Sequence, residues 1–462
     1  MHVEMEKRWI YLSLAFIIFS IVLFLPTPEG LSVFGQRALA VFSFTIILWV
    51  TRPVSFPIIF FFISVLLVAT GVFTPETAFQ GIASSTIFFL IGAIILAFAV
   101  SKHGLDRRIA LSFLKRFGKS PSHFLLGIIL ISAFLSMTMP AHGVVALLIP
   151  IVLSILRASQ KDLTETNFSK SVLLSVAYAS SVGSMGTLLG GARNPLAISL
   201  YNQATGDTVS FANWFVAAIP IVLVMIVFVY FVMKKVYPLE EVNMRDMKLF
   251  LSKKVEDMGS FSFGEKKSLF FLIFAFSLWV IFGNIVGMAT VAVLIAGLLG
   301  VTKTLTWEDV ESKIPWGIIF LYGGAITLAF ALTKTGAAEY IAQNIINMFA
   351  INPYLVIFIV VVLTIFLSEV MSNAAATGTI LPIALTVFLS MGLSAKMGMY
   401  VVALPSAFAF MFIIGTPGSA MVYDTGLLSA RDFLKPGFIL NLIGIAIFMT
   451  LGLFWWKILG LW

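Results

Sequence analysis

The chain has 462 residues, of which 60% are hydrophobic and 11% charged, with a mean hydropathy of +1.06. A soluble domain carries about 45–50% apolar and about 25% charged residues, and a charge at the bilayer centre is costly, so most of this length sits in lipid or packs against helices that do. The absence of cysteine excludes disulfides, iron–sulfur clusters and thiol chemistry; four histidines with few acidic residues in the apolar segments argue against a metal centre; and the net charge of +8, gathered in short loops, reports topology and not nucleic acid as a partner.

The first apolar segment, Trp9 to Leu25, follows Lys7 and Arg8 and runs into Pro26 without a small-residue cleavage site, which predicts a retained helix and no signal peptide. Further apolar stretches at 35–50, 55–71, 86–101, 171–200, 212–233, 268–285, 288–302, 316–333, 398–422 and 434–460 lack period-2 alternation and predict helices, not barrel strands. Two blocks, 123–157 and 353–391, differ from these. Each reads as two half-length helices of about 14–18 residues joined by a knot of small residues, Pro140-Ala141-His142-Gly143 in the first and Ser372-Asn373-Ala374-Ala375-Ala376 in the second. The expected fold is an all-α polytopic membrane protein with about 11 transmembrane helices plus two re-entrant hairpins.

Basic residues test this layout, because cytoplasmic loops carry the excess of Lys and Arg. Lys102, Arg107, Arg108, Lys115, Arg116 and Lys119 follow the fourth helix, and Lys234, Lys235, Arg245, Lys248, Lys253, Lys254, Lys266 and Lys267 fall in 234–267. Both groups lie inside if the N-terminus is cytoplasmic, the two blocks do not cross, and the C-terminus is external, as in a multi-pass protein of a plasma (inner) membrane.

An internal repeat is legible as well. Leu96-Ala97-Phe98-Ala99-Val100-Ser101-Lys102-His103-Gly104 matches Leu328-Ala329-Phe330-Ala331-Leu332-Thr333-Lys334-Thr335-Gly336 at an offset of 328 − 96 = 232. The same offset takes Phe134-Leu135-Ser136 to Phe366-Leu367-Ser368 and Ile149-Pro150 to Leu381-Pro382. Five predicted spans separate the copies, an odd number, so the halves have opposite orientation. The chain thus divides into an N-terminal helix (1–34), a first inverted repeat (35–233), a cytoplasmic linker (234–267) and a second inverted repeat (268–462), an organisation that in membranes goes with alternating access around a midplane site.

In each half one span is interrupted by a polar, Gly/Pro-rich patch, Gly186 to Pro195 and Gly415 to Ser419. Such backbone cannot face lipid, because its freed N–H and C=O groups would go unsatisfied, so it must line a polar cavity. Two hairpin tips and two interrupted helices then converge. Helix N-termini at the breaks suit a carboxylate, and unwound carbonyls suit Na⁺. A channel would need a carbonyl filter or charged ring, an enzyme a clustered acid/base or metal set, and an ATP-driven pump a Walker A motif; the sequence shows none of these.

Across essentially the whole chain the sequence resembles the divalent anion/sodium symporter family of di- and tricarboxylate transporters. The resemblance is carried by Leu105-Asp106-Arg107-Arg108-Ile109-Ala110, Phe134-Leu135-Ser136-Met137, Ser372-Asn373 with Leu381-Pro382, Gly415-Thr416-Pro417 and Asn441-Leu442-Ile443-Gly444. It implies an elevator-like carrier of dicarboxylates, a homodimer in the lipid bilayer, and a Ser-Asn-Thr triplet at each hairpin tip that holds substrate beside two Na⁺ sites. This chain departs from that pattern. The second tip keeps Ser372-Asn373 but has Ala374, with Thr377 and Thr379 close behind; the first reads Pro140-Ala141-His142, and Arg193 stands where the family usually has Pro.

By resemblance the substrate-binding residues are Ala141, His142, Gly191, Arg193, Ser372, Asn373, Ala374, Thr377, Thr416 and Pro417. The one Na⁺ site would be in the second half, at Ser368, Ser372, Asn373 and Gly415, with no other cofactor. Arg193 in place of a first-half Na⁺ makes an anion exchanger the expected mode. Na⁺-coupled symport of dicarboxylates, and carriage of sulfate or tricarboxylates, are the alternatives.

Overall fold

The computed structural model describes residues 2–159, 166–349 and 352–461, and every regular element among them is helical. The first half opens with α1 (His2–Phe24), α2 (Val33–Thr51), α3 (Phe56–Ala69), a short α4 (Pro75–Phe79) and α5 (Ser85–Lys102). An amphipathic α6 (Leu105–Leu114) leads into the antiparallel pair α7 (Pro121–Ser136) and α8 (Ala141–Ser159); α9 (Asn167–Gly183) and α10 (Arg193–Thr205) flank a break, and α11 (Phe211–Val236) follows. The linker carries α12 (Met244–Asp257).

The second half repeats this order with α13 (Phe263–Val286), α14 (Met288–Val301), a short α15 (Trp307–Glu311), α16 (Trp316–Lys334), α17 (Ala337–Phe349) and the pair α18 (Pro353–Val370) and α19 (Asn373–Ser390). After them come α20 (Ala395–Ala403), a second break, α21 (Pro417–Tyr423), and α22 (Ala430–Ile447), which runs through a π turn into α23 (Leu453–Ile458).

Element boundaries follow the offset found in the sequence. α3 and α14 start 288 − 56 = 232 residues apart, as do α4 and α15, α6 and α17, α7 and α18, and α8 and α19. The cause is repeated local chemistry. Both α7 and α18 start with Pro at the first helical position behind a polar cap, Ser120 accepting from the His123 N–H and Asn352 from the Tyr354 N–H. Both α5 and α16 end in a turn that needs a left-handed residue, supplied by Gly104 (φ 75°) and Gly336 (φ 76°). Packing is exchanged between the halves: α5 lies on α14, and α16 lies on α3.

The structure corrects the length argument for the hairpins. α8, α18 and α19 have 19, 18 and 18 residues and are long and apolar enough to cross a membrane, and only α7, at 16, is shorter. At 1.5 Å per residue they rise about 27–28 Å, close to the thickness of a hydrocarbon core. Half-length helices therefore do not mark these pairs as re-entrant. Hydropathy also missed α6, α12 and α17, which lie in segments taken as loops. α6 buries Leu105, Arg108, Leu111 and Leu114 and exposes Arg107. Arg108 reaches the end of the linker, where Nε donates to Glu265 Oε1 (2.5 Å) and the two Nη groups donate to the carbonyls of Gly259 and Met258 (2.9 Å each).

Candidate functional site

At the second hairpin tip, Ser372 caps α19, its Oγ accepting from the Ala375 N–H at 3.2 Å, and Asn373 is the first helical residue. The Asn373 Oδ1 is buried and has no hydrogen-bond partner. At the first tip Pro140 takes the place of Ser372 and offers no side-chain oxygen. That tip is held instead by backbone: the Ala141 N–H donates to the Gly190 carbonyl at 3.1 Å, joining hairpin to break.

The break between α9 and α10 is sealed by its own side chains. Asn194 Nδ2 donates to the carbonyls of Ser184 (2.8 Å) and Thr187 (2.6 Å), and Thr187 Oγ1 donates to the Met137 carbonyl (2.5 Å). Arg193 begins α10 and is 5% exposed. Its Nη2 donates to Ser184 Oγ at 2.9 Å and its Nε to the Ala403 carbonyl at 3.3 Å. A Cβ on Gly191 would sit 2.5 Å from Arg193 Nη1, so a larger residue there displaces the guanidinium from this position.

The second break is longer than its Gly-rich patch suggested. α20 ends at Ala403, ahead of Pro405, and regular α-helix resumes only at Pro417. Three freed backbone N–H groups, those of Phe410, Met411 and Phe412, donate to the Glu369 carboxylate at 2.8, 2.9 and 2.9 Å. Asn441 Nδ2 adds a fourth bond to it at 2.6 Å. Carbonyls in the same stretch are met from α9, by Tyr178 Oη on Phe410 (3.0 Å) and Ser181 Oγ on Ala407 (2.7 Å). Thr416 then caps α21, accepting from the Ser419 N–H at 3.0 Å, with Pro417 at the first helical position.

Both tips and both breaks line one cavity of about 670 Å³. Of the residues expected from the sequence, Ala141, His142, Gly191, Arg193, Ser372, Asn373, Ala374, Gly415, Thr416 and Pro417 are in its wall. Thr377 is not. It lies one turn along α19, fully buried, with Oγ1 donating to the Asn373 carbonyl (2.8 Å) and 3.1 Å from Ser406 Oγ, so it fixes α19 against the second break. Ser368 also lies outside the wall, buried, with an unpartnered Oγ.

Among the described residues no Asp or Glu lines the cavity; Glu369 sits behind Gly415, occupied by its four donors. The wall carries three full cations, Arg52, Arg193 and Lys313, together with Tyr322, Ser181 and Ser184. Sequence reasoning missed Arg52, Lys313 and Tyr322, which carry no repeat or motif signal. It also passed over Ser136, which the 232-residue offset pairs with Ser368 and which is likewise buried with an unpartnered Oγ.

An all-helical, multi-pass chain whose paired hairpins and interrupted helices line one cavity has the build of a secondary membrane transporter, and its family and relatives are transporters and not enzymes. It belongs to the family described as the sodium:sulfate symporter transmembrane region, which it matches over residues 6–462. It is 27% identical to SdcS, a sodium-dependent dicarboxylate transporter of Staphylococcus saprophyticus, over 93% of this chain and 88% of that protein. To the transporter of the same name in Staphylococcus aureus it is 28% identical over 92% of this chain and 87% of the other. Among solved structures it shares its fold with the YdaH transporter of Alcanivorax borkumensis, at a TM-score of 0.57 and 15% identity, covering 83% of this chain and 87% of that one.

Proposed function

We propose that the protein is a secondary carrier of small dicarboxylates of the succinate, malate and 2-oxoglutarate type, working chiefly by exchange. The observation that carries this reading is Arg193: a buried guanidinium in a cavity wall, hydrogen-bonded to neutral groups and outside every ion pair among the described residues. A buried charge left unpaired costs several kcal/mol, and an anion in the cavity removes that cost. The dicarboxylate relatives support this cargo, and the tips add Ser372 and Asn373 as hydrogen-bonding side chains on one side with His142 on the other.

Sodium is the coupling ion of the relatives by name, and in this chain the second half suits one ion. Ser368 Oγ and Asn373 Oδ1 are buried hard oxygens without partners, the donor type that Na⁺ takes, with Ser372 and Gly415 beside them in the reading. In the first half Ser136 Oγ is likewise buried and unpartnered, but Pro140 and Ala141 supply no side-chain oxygen at the tip to join it. Those two unpartnered oxygens favour a second reading, symport of the dicarboxylate with a single Na⁺.

The empty carrier holds an uncompensated buried charge, so its return across the bilayer is slow and return with a second anion is fast. In this reading the repeat is inverted and α7–α8 and α18–α19 are re-entrant. They move with the interrupted helices as an elevator against α1, α2, α3, α5, α13, α14 and α16, in a homodimer with the N-terminus cytoplasmic and the C-terminus external.

Counterflow tests the carrier and its cargo together. Purified protein in vesicles loaded with unlabelled succinate is expected to accumulate labelled succinate transiently above its outside concentration, with malate and 2-oxoglutarate competing and sulfate not. Absence of any overshoot, or an overshoot driven by sulfate alone, contradicts the proposal.

A further inference from the structure

The three cations in the cavity wall are not alike. Arg193 is buried in the first break and belongs to the reading above. Arg52 and Lys313 are exposed and come from different halves, Arg52 from the turn after α2 and Lys313 from the turn before α16.

Lys102 and Arg108 are neutralised by carboxylate partners. Lys102 is paired with Asp309, whose carboxyl that contact holds down at about 2, and Arg108 is paired with Glu265. The described residues hold four ion pairs, and neither Arg52 nor Lys313 is in any of them. Each lies over an aromatic ring instead, Arg52 over Phe56 at 5.9 Å and Lys313 over Phe98 at 5.8 Å, which orients the charge without cancelling it.

Arg52 also occupies the left-handed position that ends α2 (φ 48°, ψ 49°), where glycine or asparagine is the ordinary choice. An arginine at that position is therefore not explained by local backbone preference. Beyond it a second recess of about 580 Å³ shares Arg52 and Phe56 with the cavity and adds Arg8, so positive charge continues outward from the wall.

We propose that Arg52 and Lys313 form a second anion subsite at the mouth of the cavity, which takes up a dicarboxylate before it reaches Arg193. Two charges outside every ion pair among the described residues, in a cavity that no described carboxylate lines, raise the local concentration of a divalent anion, an effect that weakens as salt screens it. The inference rests on the carrier reading and on the charge-based topology. That topology places both residues on the cytoplasmic side, so the subsite serves anions approaching from inside.

The test compares sides. In right-side-out and inside-out membrane vesicles, half-saturating succinate is measured at each face for the wild type and for Arg52→Gln/Lys313→Gln, at low and high salt. From the cytoplasmic face the double variant is expected to need about tenfold more succinate and to lose most of the salt dependence, against a change of about twofold or less from the other face. Arg52→Lys and Lys313→Arg keep the charge and are expected to stay near wild type at both faces, which separates charge from folding. Equal rises at both faces, or an unchanged salt dependence in the double variant, overturn the subsite. If the wild type carries sulfate and not succinate, the dicarboxylate reading fails, and the same comparison run with sulfate still decides the subsite.

Discussion

Arg193→Ala is expected to abolish anion exchange while raising the protein's thermal stability. In the wild type the guanidinium is 5% exposed and donates only to Ser184 Oγ and the Ala403 carbonyl, so the empty cavity holds a desolvated charge that two neutral acceptors do not compensate. Alanine removes that desolvated charge, which costs several kcal/mol, and the space it vacates opens into the cavity, so the fold is stabilised on balance. Against a bound carboxylate the same group makes a charge-assisted contact, and losing one partner of a buried charge pair costs about 3–5 kcal/mol, or roughly 10²- to 5 × 10³-fold in transport at low substrate. A structural arginine would behave in the opposite way, with its loss lowering stability and transport together. Exchange assays paired with a melting curve in detergent separate the two. Transport within a few-fold of wild type, or a lowered melting temperature with transport lost in proportion to folded protein, contradicts the assignment. A residual uptake that has become Na⁺-dependent fits it, since an ion could occupy the vacated space.

Glu369→Ala is expected to prevent stable folding. The carboxylate is fully buried and collects the N–H groups of Phe410, Met411 and Phe412 together with Asn441 Nδ2. Alanine strands four donors, those of Phe410 and Asn441 buried and those of Met411 and Phe412 half-buried, at about 1–3 kcal/mol for each buried one, a sum that is a large fraction of a domain's whole stability. Glu369→Gln is the more informative change. It keeps one acceptor oxygen but turns an NH₂ toward backbone donors, so stability falls by a few kcal/mol and transport falls with it at every pH, because Gly415, Thr416 and Pro417 lose the segment that seats them in the wall. Were Glu369 a proton carrier, the glutamine form would fold as stably as wild type and lose the pH dependence of transport. Thermal melts and transport from pH 5.5 to about 8.5 distinguish the outcomes.

Much of this architecture was legible because it depends on periodic and repeated features. Spans are set by apolar length, the two hairpin blocks by their small-residue knots, and the 232-residue offset between Leu96 and Leu328 related the two blocks and the shared turn glycines, Gly104 and Gly336, before any coordinates. The tips were legible for the same reason, and ten residues expected at the site do line one cavity.

What escaped has a physical cause in each case. α6 and α17 are short amphipathic helices whose polar faces lower their average hydropathy, so a span search passes over them. The second break extends back to Leu404 because Pro405 stops α20 and Glu369 stabilises the unwound strand, a contact between residues some forty apart that no local pattern encodes. Thr377 was placed at the site by closeness in sequence to Asn373, but one helical turn carries it out of the wall and into contact with Ser406. Arg52 and Lys313 were read as loop charges, since only the fold shows that two turns from different halves line one cavity.

The central claim is that a fixed guanidinium does in this carrier what Na⁺ does where both ion sites are present, so the most direct measurement is labelled succinate uptake into proteoliposomes under an inward Na⁺ gradient, with and without succinate inside. The account predicts rapid uptake into preloaded vesicles, slow uptake into empty ones, and a Na⁺ dependence that is flat or has a Hill coefficient of about one. Strong uphill uptake into empty vesicles, with a Hill coefficient of about two or more, would show that both ion sites survive despite Pro140, Ala141 and Arg193, and would contradict it.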